Sequence, residues 1–113
     1  MPLLVHAEIH GLVGRDRELR ELLQGHAERL GASPGNLAAK AYGPLGGEPG
    51  EYVLDAWWED ERALRAHYRT PEYADYAQRI GELLARPSDV TIHEIERSYR
   101  PAGDMSLDPS RQD

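Results

Sequence analysis

Apolar residues in this chain recur at every second position in some stretches and at every third or fourth in others, and the order of the two periods leaves few folds open. Leu3, Val5, Ala7 and Ile9 fall on one face of residues 3–12 while His6, Glu8 and His10 fall on the other, the mark of a strand with one buried side. From Asp16 to Leu30 the positions Leu19, Leu22, Leu23, His26, Ala27 and Leu30 keep helical spacing, with Asp16 as candidate cap and Gly31 as natural stop. A Pro34-Gly35 turn leads into a second strand over 36–42, whose alanines give it little intrinsic preference for extended structure. Six of the eight residues at 43–50 are Gly or Pro, which makes this stretch the loop of a hairpin whose returning strand is 51–58, carrying Tyr52, Val53, Leu54, Trp57 and Trp58. Asp60 caps a helix containing Leu64, His67 and Tyr68. Thr70 and Pro71 interrupt and restart it, and the restarted helix buries Tyr73, Tyr76, Ala77, Ile80 and Leu84 and ends before Pro87. Val90, Ile92 and Ile95 place a fourth strand in 89–99.

Strand, helix, strand, strand, helix, strand is the βαββαβ order of an α+β, ferredoxin-like fold, with a four-stranded antiparallel sheet and both helices on one face. At 113 residues the chain has room for one core, so residues 1–100 are expected to form a single domain and 101–113 a polar C-terminal tail. The helices leave one side of the sheet bare, and that side carries Trp57 with Ala38 and Tyr42. Burial against a second copy is the simplest way to cover it, so a homodimer is expected. There is no Phe, so the aromatic bulk comes from two Trp and six Tyr, which bring polar groups into the apolar interior and suit a lined pocket. Thirteen basic against twenty acidic residues give a net charge of −7, a field that repels phosphate backbones and anionic lipid, so neither nucleic acid nor a membrane is an expected partner. The absence of cysteine removes disulfide, thiolate-metal and cysteine-nucleophile chemistry. With no leader-like opening and no long apolar run, the expected location is cytoplasmic.

From Val53 through Trp57, Trp58, Glu59 and Asp60 to Ala63, Leu64 and His67, the chain resembles the antibiotic biosynthesis monooxygenase (ABM) family of small dimeric α+β barrels. An apolar strand ends in Trp58, an acidic helix start and an Ala-Leu step follow, and His67 stands nine residues after the Trp. Thr70-Pro71-Glu72-Tyr73 is similar to the family's Thr/Ser-Pro-His-aromatic step, with Glu72 where a second His is frequent. Pro34-Gly35-Asn36-Leu37 matches its turn into the second strand, and the resemblance runs over roughly 3–99. It implies the dimeric barrel and a function among cofactor-free oxygenases, haem-degrading enzymes, isomerases and chains of other roles. The haem-degrading branch has an Asn, a Trp and a His where this chain has Ala7, His67 and Ala77, which disfavours that branch.

The resemblance places a cavity between sheet and helices, lined by Trp58, His67, Tyr73, Tyr76 and Leu54. A cofactor-independent monooxygenase needs a substrate that reduces oxygen once deprotonated, such as a phenol, quinol or enol, and histidine is a base for that step. His67 is then the candidate base and Trp58 a flat wall. Tyr73, Tyr76 and Leu54 are candidate substrate-binding residues, with a tyrosine hydroxyl as donor to the oxyanion. The plainer alternative packs His67 under Trp58 with its ring bonded to a backbone carbonyl. An isomerase or tautomerase using the same pocket, or a non-catalytic small-ligand-binding domain, are the competing functions. No cofactor is expected. His6, Glu8 and His10, with Asp55 and His93, form a second constellation. Alternate strand positions lie about 6.5–7 Å apart, so three in a row hardly share one ion, and mutual hydrogen bonding is the simpler expectation than a metal. His26 reads as a core or rim histidine. The glycine-rich loop has no following Gly-Lys-Ser/Thr, and no Gly-x-Ser-x-Gly elbow occurs.

Overall fold

A computed structural model describes residues 1–46 and 48–101. Its elements are β1 (Leu3–His10), α1 (Asp16–Gly31), β2 (Asn36–Tyr42), β3 (Glu51–Trp58), α2 (Glu61–Tyr68), α3 (Pro71–Gly81) and β4 (Asp89–Glu94). The four strands form one antiparallel sheet in the order β2-β3-β1-β4. This is the ferredoxin-like α+β fold expected from the periodicities, with the second helix in two pieces. The tail expected over 101–113 lies, apart from Pro101, outside the described residues.

The register sorts side chains by face. Leu3 pairs with Trp58, Val5 with Ala56, Ala7 with Leu54 and Ile9 with Tyr52, and these point to the helices. Leu19, Leu23 and Leu30 of α1, Leu64 of α2, and Tyr76 and Ile80 of α3 close over them to make the core. The opposite face carries Leu4 against Trp57, His6 against Asp55 and Glu8 against Val53, and no helix among the described residues covers it. Trp57 and Ala38 are neighbours there, as the alternation predicts, and Tyr42 pairs with Val53.

Several boundaries differ from the expectations. β1 ends at His10 instead of residue 12, because Gly11 leaves the strand pairing for a single bridge to Leu84. Asp16 is not the cap of α1. Arg15 holds that position without a side-chain cap, and the Asp16 carboxylate accepts hydrogen bonds from the Gly50 N–H at 2.9 Å and from the Tyr52 hydroxyl. It therefore ties α1 to the hairpin loop. Gly31 is the last helical residue, with Ala32 as a right-handed cap. α3 stops at Gly81, short of Leu84. β4 stops at Glu94 instead of 99, and the Ile95 N–H is taken by the Pro2 carbonyl at 2.8 Å.

Both junctions that aim α2 and α3 do follow the sequence signals. Asp60 accepts from the Ala63 N–H at 2.8 Å and Thr70 from the Tyr73 N–H at 3.2 Å, each satisfying an orphan donor at a helix start. Gly35 adds a steric lock. Its φ of +80° favours glycine, and a Cβ there would overlap the Cβ of Ala63. Its carbonyl accepts from the Glu59 N–H at 2.9 Å, so the turn before β2 seats the start of α2.

Candidate active site

Between sheet and helices lies a cavity of about 220 Å³. Val5, Ala7, Ile9, Leu54, Ala56 and Trp58 form its floor, and α1, α2 and α3 supply the walls. All five residues singled out in the sequence, Trp58, His67, Tyr73, Tyr76 and Leu54, line it. Helical and strand geometry bring them together: β3 ends on Trp58 facing inward, and His67, two turns into α2, swings its ring to 4.8 Å from the indole at a 33° tilt. Tyr73 meets the His67 ring edge-on at 5.2 Å, and Tyr68 lies 4.8 Å from Tyr73. Among the described residues the His67 ring bonds no backbone carbonyl. It is the residue's own carbonyl that is engaged, accepting from the Thr70 hydroxyl at 2.8 Å and holding the α2-α3 corner.

Two wall residues are not placed by the sequence. His26 has a legible signal, its position on the apolar stripe of α1, but spacing does not say what faces it across the interior. It is only 5% exposed, stacks on Tyr76 with centroids 3.5 Å apart and planes within 6°, and sits 6.1 Å from His67. Tyr68 belongs to the helix by its spacing, which gives it no facing, and it lies at the cavity's margin.

Among the described residues the lining contains no Asp, Glu, Lys or Arg, and burial governs its titration. His67 is shifted down by desolvation, so its imidazole is neutral at neutral pH and free to accept a proton. His26 is pushed down to about 4, by burial first and by His67 and Arg29 next. Burial raises the Tyr76 hydroxyl above its ordinary value, with Tyr73 adding to it, and raises Tyr68 as well. The chamber thus presents neutral hydrogen-bonding groups on an apolar surface.

The second constellation divides into two. His6 bonds Asp55 at 2.7 Å, with Glu8 at 3.9 Å. His10, at the other end of β1, bonds Glu51 at 2.7 Å and Asp89 at 2.8 Å, and its pKa is raised by the bonds to Asp89 and Glu51. Among the described residues no group of three His, Cys, Asp or Glu side chains is arranged to hold a metal, so the imidazoles satisfy carboxylates. His93 pairs with Leu4, on the same face as His6 and diagonal to it, since His6 pairs with Thr91.

Comparison with known proteins agrees with this architecture. The family model described as antibiotic biosynthesis monooxygenase matches residues 2–79. An uncharacterized protein of Synechocystis is 24% identical over 94 residues, covering 83% of this chain, and the chain spans 63% of that relative's length. The structure of Rv0793 from Mycobacterium tuberculosis superposes with a TM-score of 0.80 at 29% identity, covering 88% of this chain and 100% of the other. SnoaB, a cofactor-independent oxygenase from Streptomyces nogalater, shares the fold with a TM-score of 0.75 at 16% identity, covering 86% and 95% of the two chains. With more than half its length matched by the family model and its four-stranded sheet and helices superposing on these structures, the chain belongs to the antibiotic biosynthesis monooxygenase family.

Proposed function

We propose that the protein is a cofactor-independent monooxygenase acting on a small, electron-rich aromatic, quinol or enolic compound in the pocket between sheet and helices, beside Trp58 and His67. The observation that carries this reading is the pair of rings 4.8 Å apart in one apolar cavity that has no charged lining residue among the described residues. The indole offers a face to a planar substrate, and the neutral imidazole takes the hydroxyl proton. The resulting anion is a reductant, and it passes electrons to oxygen. One oxygen atom enters the substrate at a ring or enol carbon that bore one hydrogen, making a second carbonyl, and the other leaves as water with that hydrogen and the hydroxyl proton returned by His67. Tyr73 and Tyr76 line the path of the ligand, and Leu54 sets the floor. A cavity of this size is smaller than the roughly 300–1,000 Å³ of drug-sized sites, which favours a compact ring system. The fold shared with SnoaB, an oxygenase of this kind, supports the reaction class.

The working unit is a homodimer in this reading. The bare sheet face with Trp57, Leu4, Ala38 and Tyr42 would be covered by the same face of a second copy.

Anaerobic titration with quinols, followed by oxygen uptake once oxygen is admitted, tests the assignment. Removing a general base costs roughly 10²–10⁴-fold, so His67→Ala is expected to fall by at least the lower figure while retaining the fold. An unchanged rate removes His67 from its role. Turnover that proceeds equally without oxygen contradicts the monooxygenase and favours an isomerase or tautomerase in the same chamber.

A further inference from the structure

The cavity holds a second imidazole that the proposed deprotonation does not use. His26 is nineteen-twentieths buried, its ring covered on one side by Tyr76 and facing the same chamber as His67. Among the described residues no side-chain hydrogen bond engages its ring, and it lines the cavity without being a fully enclosed polar group left unpartnered. A ligand oxygen that enters the cavity offers its ring nitrogens a fixed partner in place of solvent. The charged and titratable groups near it are His67 on α2, Tyr76 on α3 and Arg29 on its own helix.

The spacing of the two imidazoles limits what they can share. An aromatic ring lying between them would need two contacts of about 3.5 Å each, more than the 6.1 Å between their centroids. A single oxygen fits, since hydrogen bonds of about 2.9 Å reach it from both rings. We infer that His26 and His67 grip one hydroxyl oxygen of a phenolic ligand from two sides, His67 accepting its proton and His26 donating a hydrogen bond to the oxygen left behind. This deepens the proposed function and rests on it. The O–H bond of the ligand breaks, its proton forms an N–H bond on His67, and the electron pair stays on oxygen. His26 keeps its own proton throughout. Because burial keeps His26 neutral at ordinary pH, it brings one N–H to the oxygen without adding a second positive charge beside protonated His67. The role first given to a tyrosine hydroxyl thus falls to an imidazole, and Tyr76 becomes the plate that fixes its orientation. The ligand class follows: a neutral aromatic with a hydroxyl at the edge that enters between the two histidines.

Para-nitrophenol is a suitable probe, with one ring, one hydroxyl and a phenolate visible by absorbance. Titrating the saturated wild-type protein with base gives the ionisation midpoint of the bound probe. His26→Phe keeps a flat ring against Tyr76 and removes the N–H. It is expected to move the midpoint up by about one pH unit, equivalent to about tenfold in phenolate stabilisation. His26→Gln, which restores a donor, is expected to bring it back. In the unmutated protein, the ring-nitrogen resonances of both histidines are expected to shift on saturation, a readout independent of whether any variant folds. A midpoint unmoved by His26→Phe, or resonance shifts confined to His67, overturns the role of His26 while leaving His67 in place. A midpoint unmoved by His67→Ala, or no binding of the probe at all, overturns the functional reading and this one with it.

Discussion

His26 is costly to the fold in acid, whatever it does for a ligand. Its folded-state pKa of about 4 lies below the ordinary value of 6.5, so the unfolded chain binds its proton first as pH falls. The fold is unaffected by this group above about pH 6.5 and loses stability progressively down to about 4. The loss is on the order of 3 kcal/mol at most, since each tenfold difference in proton affinity between folded and unfolded chain is worth about 1.4 kcal/mol. Denaturant melts between pH 7 and 4 check this, and His26→Phe should flatten that limb. A limb equally steep in the variant would assign the sensitivity elsewhere. At this scale the sequence is informative about Trp58 and His67, because a strand end and a helix start with a fixed number of residues between them leave little freedom. It is uninformative about His26, because an apolar stripe says which residues are buried and nothing of the partner across the core. The carboxylate of Asp16 shows the same limit: a residue suited to capping serves instead a loop distant in the chain, at Gly50 and Tyr52.

At the scale of elements, α2 is aimed by a turn that precedes a different strand. Gly35 has a positive φ and lies against Ala63, so Gly35→Ala forces both backbone strain and overlap at the seat of α2. A loss of about 2 kcal/mol or more is expected in chemical denaturation, with a smaller effect from Gly31→Ala, whose added Cβ meets nothing within 4 Å. Equal losses at the two positions would contradict the lock. Element types and order are legible throughout, since each period is set by several residues. Boundaries are less so. β1 and β4 end early because their pairing partners run out at Glu51 and Leu3, a property of the register that no single strand contains. α3 ends at Gly81, and the apolar Leu84 that extends its pattern is paired with Gly11 in a bridge instead.

On the scale of the whole molecule, one layer of helices covers one side of one sheet, and β4 is exposed along its length, with Val90 and Ile92 about half accessible. The other side carries Trp57 and Leu4 next to the His6-Asp55 pair. Light scattering is expected to give twice the 12.7 kDa chain mass, and Trp57→Glu to shift it toward the single chain. A monomeric wild type would contradict the proposed assembly. The bare face is legible from the alternation of β1 and β3, whereas its occupant is not a property of one chain's pattern. The proposed function puts chemistry on the helix side of the sheet, where Trp58 and His67 meet, and not on the histidines of the open face. Oxygen consumption with a quinol substrate, compared between His67→Ala and His6→Gln at equal dimer content, tests this sidedness most directly. A loss of at least roughly a hundredfold is predicted for the first and a rate near wild type for the second; the reverse order, or equal rates in both, would contradict it.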